Sequence, residues 1–423
     1  MAVISPSLEQ TFTQHFETLG STASFYPVRK QAIQDFQQQG LPTLKNEAYK
    51  YTPIARFLQE HASRTPASAS MQALPHPALD DLSAYRICLH NGRLSAPFDI
   101  PGQVQILTFQ EAHEQQHTTF LAHFAQHANS LQDALVALNT AFFEEGLFIY
   151  IPEQTVLDKP LVIDHGATDS PNALSVTYPR LLIVAAPHSQ AHIITNWQGA
   201  GFSNAVAEVV VEESARLDYY TLQTALAQEA GQVQTTQGYQ AARSTLNTYT
   251  FTWSGAVVRN NLYCRSDASH TETNMYGLYS LRGEQHVDNF TTVDHRQPYT
   301  YSNELYKGVM TEKATGVFNG RIYVRPAAQK TNAFQTNNNL VLSDGAKLHT
   351  KPQLEIWADD VKCSHGATTG RLDSDQLFYL RARGIPYETA STLLRQAFVS
   401  EVIDKVPLDA LKTWLQADWA AQA

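Results

Sequence analysis

The sequence predicts a mainly β chain with helical ends, and three observations predict it. From residue 147 to 358 short alternating runs follow one another, among them Leu147–Ile151, Leu161–Ile163, Arg180–Ala185, Ala191–Thr195, Ala205–Val211 and Ala215–Thr221, with Pro152, Pro160, Pro187 and Gly201 between them. Such spacing suggests a sandwich, a barrel or a stacked β-solenoid. Helical periodicity is nearly absent there, yet plain before residue 40 and after residue 372. Polar residues also recur inside the runs, as in Thr331-Asn-Ala-Phe-Gln-Thr-Asn-Asn-Asn339, which suits the Asn, Gln and Thr ladders of a solenoid. Hairpin dipeptides do not mark every junction, although Asn319-Gly320 and Asp344-Gly345 are two, and that disfavours an antiparallel meander.

In order along the chain, residues 1–146 read as a mostly helical domain with a linker. Leu8, Phe12, Phe16 and Leu19 recur at helical spacing, and Gly20 stops them. Pro27 opens a second helix with Val28, Ala32, Ile33 and Phe36 on its apolar face. The aromatic connector Lys45-Asn-Glu-Ala-Tyr-Lys-Tyr-Thr-Pro53 reads as a packed loop, and no chemistry is assigned to it. Residues 61–80, rich in Ala, Ser, Pro and His, read as a linker. Short strands are expected near Tyr85–Leu89 and Val104–Phe109, and a helix at 131–143. Residues 147–371 form the β core. It continues through Ser244–Val257, Asn261–Cys264, Thr271–Tyr279, His286–Val293, Gly320–Val324 and Leu340–Leu342 to Glu355–Ala358. Residues 372–423 return to helix. Asp373 to Gln376 has capping-box spacing, and Gly384 stands at a helix stop. Ala390, Leu393, Leu394, Ala397, Phe398 and Val402 make one apolar face, and Pro407 starts a last helix with Leu408, Leu411, Trp414, Leu415 and Trp419. These faces either pack on the core or meet a partner.

Composition narrows the function. The net charge of −10 disfavours a nucleic-acid binder, which would show a basic stripe. No run of ~18 apolar residues predicts a membrane span, and the N-terminus lacks a secretory pattern. Cys88, Cys264 and Cys363 form no disulfide framework, so a cytoplasmic protein is expected. The histidines, including His113, His117, His123 and His127, are scattered and expected mostly at the surface. No phosphate loop, nucleophile elbow or dinucleotide fingerprint is present, so no enzyme is predicted and ATP hydrolysis would need a separate subunit.

The stretch Glu355-Ile-Trp-Ala-Asp-Asp-Val-Lys-Cys-Ser-His-Gly-Ala-Thr-Thr-Gly370 carries the chemistry left over. It opens as a strand at Ile356 and Trp357. Alternate residues of a strand share a face, so Cys363 and His365 would project together as a sulfur and an imidazole able to share one metal. Two side chains do not close a site, and a half-buried Cys beside a hydrogen-bonded His is the plainer reading. The adjacent Asp359 and Asp360 face opposite ways and make a poor acid/base pair. A second group, His286, Asp288, Asp294 and His295, offers metal ligands or rim hydrogen bonds.

The run from Gly320 to Ile385 shifts that balance. Its residues Gly320-Arg-Ile-Tyr-Val-Arg-Pro-Ala-Ala-Gln-Lys-Thr-Asn-Ala-Phe-Gln-Thr-Asn337, Asn339-Leu-Val-Leu-Ser-Asp-Gly-Ala346, Pro352-Gln-Leu-Glu-Ile356, Ala358 to Thr368 and Leu377-Phe-Tyr-Leu-Arg-Ala-Arg-Gly-Ile385 resemble the core of the SufB/SufD family. These are scaffold subunits of the SUF iron–sulfur cluster assembly machinery. The likeness extends more weakly to both ends, including the connector at Lys45. It implies a right-handed parallel β-helix (β-solenoid) core with helical ends. It implies pairing with SufB, docking of the SufC ATPase through the C-terminal helices, with Leu393, Leu394, Phe398 and Trp414 as candidates, and a transient iron–sulfur cluster shared at the subunit interface. Cys363 and His365 match the Cys-x-His position at that interface. Leu380 stands where SufB-type chains have a cysteine, which places this chain on the SufD-type side. A flavin is compatible with the family but has no support in the sequence. An isolated chain would pair with itself as a homodimer, since exposed strand edges recruit strands. Two competitors stand beside this reading: a structural stabiliser of SufB that contributes no ligand, and a metal-dependent β-helix hydrolase or lyase.

Overall fold

The computed structural model describes residues 8–19, 25–61, 79, 82–95, 98, 100, 103–131, 133–167 and 176–422. The linker expected at 61–80 lies almost wholly outside them. Within them the chain winds as a parallel β-solenoid of about seven turns, with helices at both ends. Successive long strands alternate between two sheets. One sheet runs from Tyr85–His90 through Leu161–Ala167, Gln190–Gly199, Arg216–Leu226, Thr245–Thr252, Glu272–Leu281, Tyr301–Met310 and Asn332–Val341 to Lys362–Gly370. The other runs from Leu147–Ile151 through Arg180–Ala185, Phe202–Val211, Gly231–Gln240, Val257–Ser266, His286–His295 and Thr315–Val324 to Lys347–Ile356. The strand expected across Ser244–Val257 is two strands, one in each sheet, parted by a turn at 253–256.

Strict register stacks equivalent residues into columns. One inward column climbs Ile193, Tyr219, Thr248, Met275, Glu304 and Gln335 and ends at His365. All but His365 are buried. A second climbs Ala191, Leu217, Leu246, Thr273, Ser302 and Ala333 to Cys363. The interior therefore starts apolar and becomes polar towards its last turns. The polar groups bond to one another: Asn339 donates to Asn337 at 2.7 Å, Thr350 donates to Asn337 at 2.8 Å, and Asn337 donates to the Tyr279 hydroxyl at 3.2 Å. A buried polar group costs stability unless it is hydrogen-bonded, and ladders of amides and hydroxyls meet that demand rung by rung.

Each outer face is covered by one helical end. The helices Leu8–Glu17, Tyr26–Gln39, Ile54–His61 and Ala134–Phe142 bury Phe12, Phe36, Leu58 and Leu138 against Phe202 and Val233 of the second sheet. The helices Tyr387–Ile403 and Asp409–Gln422 bury Val399, Val402, Leu411, Leu415 and Trp419 against Tyr220, Tyr249, Phe251, Leu278 and Leu305 of the first. Trp253 Nε1 donates to Asp418 Oδ2 at 2.8 Å, fixing the last helix.

Candidate functional site

The solenoid ends in two edge strands, Lys347–Ile356 and Lys362–Gly370, each paired on one side among the described residues. The run expected as one strand from Ile356 is thus divided. The first strand stops at Ile356, Trp357–Val361 turns the corner, and Cys363 and His365 stand on the next strand in the other sheet. They occupy alternate positions, so they share the inward face. Cys363 is half-buried against Ala333, Val361 and Ala358. Burial pushes its thiol pKa up, partly offset by a backbone hydrogen bond with Ala333, so it is a weak nucleophile until a metal or cation stabilises the thiolate. His365 is exposed at the top of its column. A Cβ placed on Gly366 or Gly370 would meet nothing within 4 Å, so another backbone can approach this strand closely.

Nearby apolar side chains are also uncovered. Ile356 and Trp357 are exposed, and the helix Ser374–Ala382 buries none of its residues, leaving Phe378 73% and Tyr379 55% accessible. Of the four residues proposed to meet a partner, Leu393 is exposed and Leu394 half-buried. Phe398 lies under Lys307 Nζ at 4.3 Å, and Trp414 packs on the cluster of Val399 and Leu415. Within the apolar face drawn from the sequence, Ala390 and Val402 are buried while Leu393 and Ala397 face outward.

The second group does not gather. His295 is buried inside the solenoid, with Nδ1 2.8 Å from Thr300 Oγ1 and Nε2 2.9 Å from Ser302 Oγ. Asp294 lies on the outer face, where the guanidiniums of Arg296 and Arg325 hold its carboxyl below the usual range against the effect of burial. His286 and Asp288 serve the Lys45–Pro53 connector. Thr52 Oγ1 donates to Asp288 and lies 3.0 Å from His286 Nε2. Asp288 also pairs with the buried Arg259, whose guanidinium lies 3.9 Å from the centre of the Tyr49 ring. Glu47 pairs with Lys351, and Tyr51 stacks on His349 at 3.9 Å. The connector is therefore a clasp from the N-terminal segment onto the edge strand Lys347–Ile356. Its aromatic and hydroxyl residues were visible in the sequence, but the partners named here lie far along the chain, Thr52 and Asp288 being 236 positions apart. Among the described residues no three His, Cys, Asp or Glu side chains converge to hold a metal.

A β-solenoid with helical ends and a Cys-x-His pair on its open edge strand is the architecture that the family resemblance in the sequence implies. Comparison with known families agrees: the SUF system FeS cluster assembly, SufBD core domain matches residues 166–398, and the SufBD protein N-terminal region matches residues 5–163. The chain belongs to the SufBD family of the SUF iron–sulfur cluster assembly system. It is 30% identical to an iron–sulfur cluster assembly SufBD family protein of Synechocystis, over 88% of this chain and 85% of the relative. It is 28% identical to the iron–sulfur cluster assembly protein SufD of Escherichia coli, over 94% of this chain and 92% of that one. It is also 29% identical to SufD of Bacillus subtilis, over 66% of this chain and 65% of the relative. No helix among the described residues is long and apolar enough to cross a membrane.

Proposed function

We propose that this chain is a cytoplasmic, non-catalytic SufD-type scaffold that pairs with a SufB subunit through the open end of the solenoid and docks the SufC ATPase through its C-terminal helices. The nascent cluster is cargo, and Cys363 and His365 contribute donors to it at the subunit interface. The observation that carries this reading is the position of the pair: one thiol and one imidazole on the same face of the final edge strand. Sulfur and imidazole together suit iron. They supply half of a tetrahedral set, so the partner must supply the rest. Exposed Leu393 is the side chain of the four candidates best placed to meet SufC.

The test is co-expression with SufB and SufC from the same source, with and without His365→Ala, followed anaerobically by iron and sulfide content and the visible spectrum. The complex is expected to form in both cases and to lose its cluster in the variant. A variant complex that fills equally well makes this chain a stabiliser of SufB without a ligand role. That alternative draws on the half-buried Cys363 thiol, and no complex at all overturns the pairing. Without its partner the chain is expected to be a homodimer joined through the same open edges. Light scattering at micromolar concentration checks this, and a monodisperse monomer contradicts it.

A further inference from the structure

We propose that Gln335 is a positioning residue for His365. Its side-chain carbonyl accepts the N–H of the His365 ring when the cargo is bound, and so fixes which ring nitrogen is turned towards the iron. This rests on the reading above that His365 is a donor to the cluster. The two residues are register partners on the last two strands of the first sheet, Asn332–Val341 and Lys362–Gly370. Both stand in the inward column, with Glu304 on the rung beneath Gln335. An imidazole has two distinct nitrogens: when one holds a metal, the other carries a proton and needs an acceptor. Metal-bound histidines almost always find it in a carbonyl or a carboxylate. His365 is exposed at the top of its column, with no strand beyond it among the described residues, so the rung below is where this chain can supply one.

One acceptor on that rung is unused. Gln335 Nε2 donates to Glu304 Oε2 at 2.6 Å. A Cβ at Gly320 would stand 2.2 Å from the same nitrogen and 2.8 Å from Cδ, so the amide lies against a residue of the opposite sheet that has no side chain. These two contacts hold the nitrogen and leave Oε1 as the free end of the amide. Gln335 is 1% accessible, and its Oε1 is buried without a hydrogen-bond partner. A buried carbonyl without a donor costs stability. Beneath a ligand position, it marks a bond that closes once the ring above is held in place. The next inward amides of the strand are already filled. Asn337 Oδ1 accepts from Asn339 at 2.7 Å and from Thr350 at 2.8 Å. Asn339 Oδ1 accepts from the Tyr279 hydroxyl at 2.5 Å. Ala333, beneath Cys363, has no side-chain acceptor. Among the described residues of this strand, Gln335 alone combines burial, an unfilled acceptor and a place beneath the imidazole.

The experiment uses the complex co-expressed with SufB and SufC and purified anaerobically. It reads the rate at which the Fe²⁺ chelator bathophenanthroline disulfonate removes iron. Gln335→Met keeps the side-chain length and removes the acceptor. It should lose iron about 10-fold faster than the parent, the low end for removal of an outer-shell partner. Glu304→Gln alone should match the parent, because its amide oxygen still accepts from Gln335 Nε2 and leaves Oε1 in place. The exchange Glu304→Gln/Gln335→Glu puts an acceptor back at 335, with the new amide at 304 as its donor, and should return iron loss towards the parental rate. Circular dichroism and co-purification with SufB check each variant. If Gln335→Met does not assemble, Glu304→Met/Gln335→Met, which leaves no carboxylate without its donor, decides in its place. An exchange variant that loses iron as fast as Gln335→Met makes the effect one of packing and overturns the proposal. Parental iron loss in Gln335→Met, with the cluster lost in His365→Ala, also overturns it and leaves the donor role of His365 standing. A cluster retained in His365→Ala overturns the donor role and the positioning role with it.

Discussion

Replacing Glu304 with Gln should stabilise the protein at pH 8 and flatten its pH dependence. Glu304 lies inside the solenoid on the rung below Gln335, whose Nε2 donates to its Oε2 at 2.6 Å. Burial disfavours the carboxylate and pushes its pKa up to about 7, despite the hydrogen bond from Gln335 that favours the ionised form. The folded pKa is therefore above the ordinary value of 4.5. Between those two values the native state holds a proton that the unfolded chain has released, so stability falls as pH rises through that window and is lowest above it. At 1.36 kcal/mol per pKa unit the loss is about 3 kcal/mol. A glutamine carries no such charge at any pH. Urea unfolding at pH 4.5, 6 and 8 checks this: wild type should lose stability across the series relative to Glu304→Gln. Parallel profiles would show that Glu304 ionises without penalty.

The second large effect is expected at Glu208. It is buried with Arg180, and Arg180 NH1 donates further to Thr140 Oγ1 at 2.6 Å and to Asn139 Oδ1 at 3.1 Å. Glu208→Ala leaves a guanidinium buried without its carboxylate and strands the backbone N–H groups of Ala125, His127 and Ala128, which donate to that carboxylate at 3.2, 2.9 and 3.0 Å. Breaking one side of a buried pair costs about 3–5 kcal/mol. Glu208→Ala combined with Arg180→Met should recover part of the loss, because the unpaired charge is gone. Urea midpoints of the single and double variants measure both. A single-variant loss below ~1 kcal/mol would mean that water reaches Arg180 and the pair is not desolvated, as at a surface ion pair.

Several features of this protein are local, and the sequence by itself determines them. Alternation of apolar and polar residues marks most of the strands, since the β period is a property of each run alone. The Asp373 cap is also legible: its side chain accepts from the backbone of Asp375 and Gln376, a contact set by spacing. Cys363 and His365 are placed on one face by the same two-residue period. The resemblance to the SufB/SufD family, carried by a long ordered match, supplied the solenoid and the scaffold role that periodicity left open among three architectures.

The corners of the solenoid were less legible. His188, Ser214, Arg243, His270, Tyr299 and Lys330 each take φ between 57° and 63°. These are residues that do not announce a left-handed turn, because stacked backbone bonds such as Tyr299 N–H to Gln329 O hold them there. The corner after Thr252 instead carries Gly255 at φ 85°, and the corner after Ile356 has no residue in the left-handed region. Register, which decides that Gln335 lies beneath His365 and Glu304 beneath Gln335, is a relation between segments about thirty residues apart. The facing of the C-terminal helix, with Val399 in and Leu393 out, depends on which groove of the first sheet receives it. The clasp of Thr52 on Asp288 and the Glu208–Arg180 pair were decided only by tertiary structure. Local propensity sets where a strand or helix forms, but contact between distant side chains exists only once the stacked turns have fixed their neighbours in space.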